Sequence, residues 1–230
     1  MPDFDAPPVV PLWVNGRAFL TVTREFQDVI DGVSGGVVRR TPLCGVSEVR
    51  LAVEGALQAG RAWAEETEEV RANLLHGLGE SLSANAGHVA RIIAGESGKS
   101  LDAAEREVAA SIRALQERRG CEVCSEAEVG AVIGGAVEPL FGALALAIPP
   151  LLRGASVVFR PSPETPSALL IFAELSGRCA FPAGIINIVH GAESVVESLR
   201  AAACCVVLDS RAESLNSEIL TLFDSFNRRN

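Results

Sequence analysis

The most constraining feature of this 230-residue sequence is an alternation of short and long apolar runs that begins at Val129. Residues 129–136 form a short run rich in β-branched residues and glycine, which favours a strand buried on both faces. Residues 139–152 form a longer run of helix formers that ends at Gly154, where a helix C-terminus commonly takes a left-handed residue. Residues 157–159 predict a second strand, so the stretch predicts a strand–helix–strand unit.

The same alternation continues toward the C-terminus. We expect four strands, at about 129–136, 155–160, 185–189 and 205–208, and four helices, at about 140–152, 164–177, 193–202 and 211–225. Such alternation gives a parallel sheet with right-handed crossovers, so the predicted fold class is α/β, a doubly wound, Rossmann-like parallel sheet. Ligands bind at the carboxyl ends of the strands in such sheets, which makes Arg160–Thr165 the first candidate for a binding site.

The first half of the chain predicts a hairpin followed by a helical layer. Asn15-Gly16 lies between apolar flanks and predicts a hairpin over Leu12–Leu20, because both residues of such a turn need positive φ. Residues 35–40 are typical of a further strand. Apolar residues at helical spacing then predict four helices, with Ser47 and Thr67 as the N-cap residues of the first two.

These patterns predict one domain over residues 1–230. Within it, residues 1–120 would hold the N-terminal hairpin and the helical layer, and residues 126–230 would hold the Rossmann-like βα units. The polar residues 117–128 would form the joint between them.

Composition excludes several classes of function. The net charge is −9 and Lys99 is the only lysine, so a basic surface for nucleic acid is not expected. The longest apolar run is too short to span a bilayer, and the first residues lack the pattern of a signal peptide. We therefore expect a cytoplasmic protein with reduced cysteines and neither nucleic-acid nor membrane partners.

Several tempting motifs have more ordinary explanations. Residues 95–100 contain Gly-Lys-Ser, but the first glycine of a phosphate-binding loop is missing and the motif follows a helix, so it predicts a helix-ending turn. Cys121 and Cys124 have the spacing of half a zinc site, but no second such pair exists, and we predict no metal site. The histidines are isolated in sequence, which favours surface or satisfied core side chains at His76, His88 and His190.

Five local strings are similar to segments of the aldehyde dehydrogenase superfamily. They are Val14-Asn15-Gly16, the helix that ends in Ala62-Trp63, Glu96-Ser97-Gly98-Lys99, VVFRPSPETP at 157–166 and FPAGIINIVHG at 181–191. Their order and spacing extend the resemblance from Trp13 to about Asn216. The resemblance implies a cofactor-binding domain of that family, in a degenerate and truncated form without the catalytic domain.

The resemblance also implies that the catalytic groups are missing. The family's oxyanion-stabilising asparagine is matched by Val137, whose side chain has no donor for a developing negative charge. The family's nucleophilic cysteine and general-base glutamate have no counterpart by this match. We therefore expect no catalytic residues in this chain.

The implied cofactor site is altered as well. Arg160 matches the family's ribose-binding lysine, and the partner glutamate is displaced by one position, to Glu164. The glycine-rich turn that holds the pyrophosphate is matched by residues 209–215, which contain no glycine, and Asp209 places a negative charge there. The vestigial cofactor-binding residues would be Arg160, Ser162 and Glu164. No cofactor is expected, although NAD or NADP remains possible.

Three hypotheses follow. The leading one is a catalytically inactive, aldehyde dehydrogenase-like pseudoenzyme that serves as a structural, assembly or regulatory scaffold. It would self-associate or bind a protein partner through the face that the missing catalytic domain would cover. The second is a nucleotide-binding module, and the third is the NAD(P)-binding half of a dehydrogenase split over two chains.

Overall fold

The computed structural model of the chain describes residues 6–122 and 127–228. The strands are β1 Leu12–Val14, β2 Arg17–Phe19, β3 Phe26–Ile30, β4 Val37–Pro42, β5 Val129–Ile133, β6 Ser156–Arg160, β7 Ile186–Ile188 and β8 Cys205–Asp209. The helices are α1 Val46–Glu65, α2 Glu68–Ala84, α3 Ala86–Ser97, α4 Leu101–Glu117, α5 Phe141–Arg153, α6 Ser167–Arg178, α7 Glu193–Ala201 and α8 Glu213–Asn227. None of the helices in these ranges is both long enough and apolar enough to cross a membrane.

The central sheet has six strands in the order β2-β1-β7-β6-β5-β8. Strands β7, β6, β5 and β8 run parallel to one another, as the alternation of apolar runs predicted. Helices α5, α6 and α8 pack on one face of the sheet, while α1 and α7 pack on the other. The predicted doubly wound α/β fold is therefore confirmed, and the predicted strands and helices differ from the observed ones by a few residues at their ends.

The predicted hairpin forms β1 and β2 and extends the parallel sheet. Asn15 and Gly16 have φ values of 52° and 74°, which is the left-handed backbone that a two-residue hairpin turn requires. β1 pairs antiparallel with β7, and the Asn15 N–H donates to the Asn187 side-chain oxygen at 3.1 Å. The sheet is thus parallel at its centre and antiparallel at one edge.

The N-terminal region departs from the prediction in two places. The strand expected at 35–40 is β4, but its antiparallel partner β3 was not predicted. Ser47 was expected to cap the first helix, and this was wrong because Gly45 is the N-cap residue and its N–H donates to Glu48 at 3.0 Å. The second predicted cap is confirmed, since the Thr67 side chain accepts from the Val70 N–H.

The C-terminal end of α5 is held by side chains from the predicted helical layer. A helix end leaves its last carbonyl groups without partners inside the helix. Here the Trp63 indole N–H donates to the Leu151 carbonyl at 3.0 Å, and the Arg71 Nε–H donates to the Leu152 carbonyl at 2.7 Å. These two bonds attach α1 and α2 to the βα half of the molecule.

Pro149 in α5 allows a second contact, between α5 and the segment that follows α4. Pro149 has no N–H, so the carbonyl of Ala145 loses its usual partner inside the helix. The Cys121 N–H donates to that carbonyl at 2.8 Å. Gly120 permits the approach, because a Cβ atom on it would lie 2.4 Å from the Ala145 oxygen and 2.6 Å from Pro149 Cδ.

This geometry predicts that Gly120→Ala destabilises the protein. The added methyl group would push the chain away from α5, and we expect the free energy of unfolding to fall by about 1–3 kcal/mol. Gly77→Ala in α2 is the matched control, because a Cβ atom there meets nothing within 4 Å and should stabilise the helix by about 0.5–1 kcal/mol. Urea unfolding of both variants measures the difference, and equal effects would contradict the account.

Candidate functional site

The strand order reverses at the carboxyl ends of β5 and β8, which is where open α/β sheets bind ligands. Strand β5 ends at Ile133 and is followed by Gly134 and Gly135, so no side chain covers this point from β5. The Ser210 hydroxyl accepts from the Gly135 N–H at 2.8 Å and donates to the Ile133 carbonyl at 3.0 Å. Ser210 thus fixes the two strand ends together at the base of a crevice.

The crevice is small. Its cavity measures about 240 Å³, below the range of about 300–1,000 Å³ that is typical of ligand sites. It is lined by Gly135, Ala136, Val137, Glu138, Gly142, Ser210, Arg211, Asn216 and Ile219. Val137, which the resemblance pairs with the family's oxyanion asparagine, is 74% exposed and offers no side-chain donor to the crevice.

An ion-pair network lies beside the crevice and includes Arg211, one of the lining residues. Arg211 donates to Asp209 through Nε at 2.9 Å and through Nη2 at 2.8 Å. It also donates to Glu193, the first residue of α7, through Nη1 at 3.1 Å and Nη2 at 3.4 Å. The network therefore joins the turn that follows β8, where the resemblance placed the cofactor pyrophosphate, to the N-terminus of α7.

The charges in this network stabilise one another. Burial alone would raise the pKa of Asp209, but the hydrogen bonds from Arg211 outweigh it and hold that pKa below its usual value. The same guanidinium lowers the pKa of Glu193, and the two carboxylates raise the pKa of Arg211. All three groups are consequently charged at neutral pH.

Of the predicted cofactor-binding residues, Arg160 lies nearest this network. Only 5% of it is exposed, and its Nε–H donates to the Gly191 carbonyl at 2.9 Å. Burial lowers the pKa of its guanidinium, and the nearby charge of Arg211 lowers it further. The Ser162 hydroxyl accepts from the Glu164 N–H at 3.4 Å, and the Glu164 side chain is exposed. The roles of these residues in binding a cofactor remain predictions.

His190 is a core residue. It is fully buried beside the end of β7, and its Nε2 lies 3.0 Å from the carbonyl of Pro11 in the N-terminal arm. Burial lowers its pKa to about 4, so the ring is neutral at physiological pH. With the proton on Nε2, His190 donates to Pro11, and among the described residues no group bonds to Nδ1.

Metal ligands do not converge in the described part of the chain. No group of three or more His, Cys, Asp or Glu side chains there could hold a metal ion. Cys121 is buried, and burial raises its thiol pKa to about 11. Cys124 lies outside the described residues, so the interpretation of this cysteine pair stays a prediction.

A second charged cluster, which sequence analysis did not predict, contacts two residues that line the crevice, Val137 and Glu138. The Lys99 ammonium donates to the Glu107 carboxylate at 2.7 Å, to Glu138 at 3.2 Å and to the Val137 carbonyl. Glu107 is fully buried, and its other oxygen accepts from the N–H groups of Leu140 and Phe141 at the start of α5. The one sequence signal that could have indicated this cluster was Glu107, a glutamate among the apolar residues on the buried side of α4.

Glu138 titrates at an unusual pH. Burial raises its pKa to about 7, the negative charge of Glu107 adds to the rise, and Lys99 opposes both. The folded protein therefore binds this proton more tightly than the unfolded chain does. Its contribution to stability is present at low pH and is lost as the pH rises from about 4.5 through 7.

The ion-pair network predicts a pH-dependent effect of Arg211→Ala. Carboxylates with lowered pKa values stabilise the folded state above their unfolded pKa values, near 4, and lose that contribution as the pH falls. We expect the variant to lose about 0.5–1 kcal/mol at pH 7 and less at pH 4. Urea unfolding at both pH values measures this, with the exposed Arg24→Ala as control. A loss that does not change with pH would contradict the network.

The Lys99 cluster predicts that Glu107→Gln lowers the pKa of Glu138. Removing the neighbouring negative charge removes one physical cause of the raised pKa of Glu138, while the amide oxygen of the substituted side chain can still accept from the start of α5. Titration of the Glu138 carboxyl carbon by NMR measures the change from about 7. Glu105→Gln, on the exposed side of α4, is the matched control and should leave the value unchanged. An unchanged value in Glu107→Gln would show that the two carboxylates do not interact.

Comparison with known proteins gives consistent matches. The sequence model of the aldehyde dehydrogenase family matches residues 19–128 and 138–204. An N-succinylglutamate 5-semialdehyde dehydrogenase from Caulobacter sp. (strain K31) is 32% identical over 188 residues, which are 74% of this chain and 39% of that protein. The chain thus spans about two fifths of the length of this curated relative.

Solved structures show the same fold. Lactaldehyde dehydrogenase from Escherichia coli superposes with a TM-score of 0.83 and 22% identity, over 96% of this chain and 51% of that chain. A Sinorhizobium meliloti 1021 protein described as a methylmalonate-semialdehyde dehydrogenase, complexed with NAD, has a TM-score of 0.82 and 19% identity. That superposition covers 95% of this chain and 49% of that chain. Both solved structures are about twice as long as the region they share with this chain.

Proposed function

Because the chain belongs to the aldehyde dehydrogenase family, we propose that it is a scaffold of that family, structural or regulatory, and not a dehydrogenase in its own right. The observation that carries the proposal is the Arg211–Asp209–Glu193 network beside the crevice, at the carboxyl end of β8. A dinucleotide would place its pyrophosphate at this turn by the resemblance. The chain places two carboxylates there instead.

The charges oppose a pyrophosphate for a specific reason. Arg211 is the cation closest to the turn, but its Nε and both Nη atoms already donate to Asp209 and Glu193. These bonds use four of the five N–H groups of the guanidinium, so an anion could bind its full donor set only by displacing Asp209 and Glu193, which would leave two carboxylates beside the anion's own negative charge. The crevice therefore disfavours the ligand that active members of the family require.

The segment between β5 and α5, which contains Val137, supports the same conclusion. Stabilising an oxyanion requires a preorganised donor, and the exposed Val137 side chain supplies none. The family match skips residues 129–137 and stops at 204. The two segments that form the crevice, the end of β5 and the turn after β8, thus lie outside the matched residues.

A second candidate function is the cofactor-binding half of a split dehydrogenase. The presence of two arginines, Arg160 and Arg211, at one end of the sheet favours it, because guanidinium groups bind phosphates well. The length of the chain is compatible with it as well, since the chain covers about half of the solved relatives. This candidate requires that the ion-pair network opens when the cofactor arrives.

Calorimetric titration with NAD⁺ and NADP⁺ separates the two candidates. For the scaffold we expect no heat of binding up to millimolar cofactor, because the crevice is small and negatively charged at its rim. Micromolar binding that is lost in Arg160→Ala and kept in the exposed control Arg24→Ala would contradict the scaffold and support the cofactor-binding half.

A further inference from the structure

Strand β8 forms an open edge of the central sheet. Within residues 6–122 and 127–228, β5 is the one strand that pairs with it. Its sequence, Cys-Val-Val-Leu-Asp, is apolar and β-branched, and most of its residues are half-buried. It has neither lysine nor proline, the residues that commonly protect an edge strand from pairing with another chain.

The hydrogen bonds to β5 fix which backbone groups face the open edge. The Val129 N–H donates to the Cys204 carbonyl, and the Ser210 N–H donates to the Ile133 carbonyl. In a parallel ladder alternate residues of a strand bond to the same neighbour, so the even-numbered residues of β8 face β5. The N–H and C=O groups of residues 205, 207 and 209 consequently point to the open edge.

Two of these six groups are already used. The Cys205 N–H donates to the Ala202 carbonyl at 2.9 Å, and the Asp209 carbonyl accepts from the Ala212 N–H at 3.0 Å. Among the described residues, four groups on the open edge have no partner: the Cys205 carbonyl, the N–H and carbonyl of Val207, and the Asp209 N–H. The ion pairs of Asp209 with Arg200 and Arg211 involve its carboxylate and leave this N–H available.

The order of the four groups is self-complementary. Along the strand they run acceptor, donor, acceptor, donor, and reversing the strand exchanges every donor for an acceptor. We propose that two copies of this chain pair through β8 in an antiparallel, two-fold ladder centred on Val207. This inference rests on the proposed scaffold function and names the surface through which the chain would assemble.

The ladder would satisfy every free group on the edge. In an antiparallel pair, residues directly opposite exchange N–H and C=O bonds, and the bonded pairs recur every second residue. Val207 would exchange two bonds with Val207 of the second copy, and the Asp209 N–H of each copy would donate to the Cys205 carbonyl of the other. A regular ladder would also pair the Cys205 N–H with the Asp209 carbonyl of the other copy, but both of these groups already have partners within their own chain, so each end of the ladder keeps one bond.

The side chains fit the same arrangement. Val206 and Leu208 face the side of the sheet that carries α5 and α8, while Cys205 and Val207 face the side that carries α7. Across the two-fold axis, Val206 would lie opposite Leu208 of the second copy, and Val207 opposite itself. Cross-strand pairs of β-branched and other apolar residues stabilise a sheet, so the ladder adds side-chain contacts to its backbone bonds.

Because residue 207 lies on the two-fold axis, charge at this position gives a direct test. We expect the wild-type chain to sediment at twice 24.1 kDa. Val207→Lys and Val207→Glu would each place like charges opposite one another and weaken the dimer at least about tenfold. An equimolar mixture of the two variants should form a heterodimer, because lysine then lies opposite glutamate. Val22→Lys, at a fully exposed valine outside the sheet, is the control and should remain dimeric.

Amide exchange tests the wild-type chain without substitution. The Val207 and Asp209 amides should gain protection as the protein concentration rises, while those of Val206 and Leu208 are protected throughout by β5. A chain that is monomeric up to about millimolar concentration would overturn the pairing, as would a dimer that is indifferent to charge at residue 207. Either result leaves the scaffold proposal in place, whereas cofactor binding by calorimetry would overturn the scaffold and leave the pairing untouched.

Discussion

The buried carboxylate of Glu107 connects the two halves of the molecule. It extends from α4 in the helical layer and accepts from the N–H groups of Leu140, the N-cap residue of α5, and Phe141, the first residue of α5, which is the crossover helix between β5 and β6. Its second oxygen binds Lys99, the single lysine of the chain. A buried charge without its partners is costly, so this set of bonds sets where α5 begins and therefore where the segment between β5 and α5 runs. The shape of the crevice depends on that segment.

The crevice itself is stabilised by charges that the chain supplies. In a doubly wound sheet the reversal of strand order opens a space at the carboxyl ends of the strands, and such spaces usually receive a ligand. Here Ser210 joins the strand ends, and Arg211 binds carboxylates from β8 and α7. The fold of the aldehyde dehydrogenase family is thus kept, while the charged side chains beside the carboxyl end of β8 pair with one another.

Most of the fold could be predicted because its signals are local in sequence. The Asn15-Gly16 turn, the Thr67 cap and the apolar runs of the parallel strands each depend on a few adjacent residues. The candidate site was less accessible to prediction, because its contacts join distant positions. Arg160 was identified by resemblance, but the pairing of Arg211 with Glu193 depends on how α7 lies beside β8, which no local pattern specifies. The same holds for Lys99 and Glu107, whose neighbourhood arises only when α3, α4 and α5 pack together.

A crystal structure of the protein grown with millimolar NAD⁺ tests whether the chain's own charges occupy the position of the cofactor pyrophosphate. We expect that Arg211 still binds Asp209 and Glu193 and that no electron density for a dinucleotide lies against the turn after β8. Density for a pyrophosphate at residues 210–213, with Arg211 turned away from both carboxylates, would contradict this expectation.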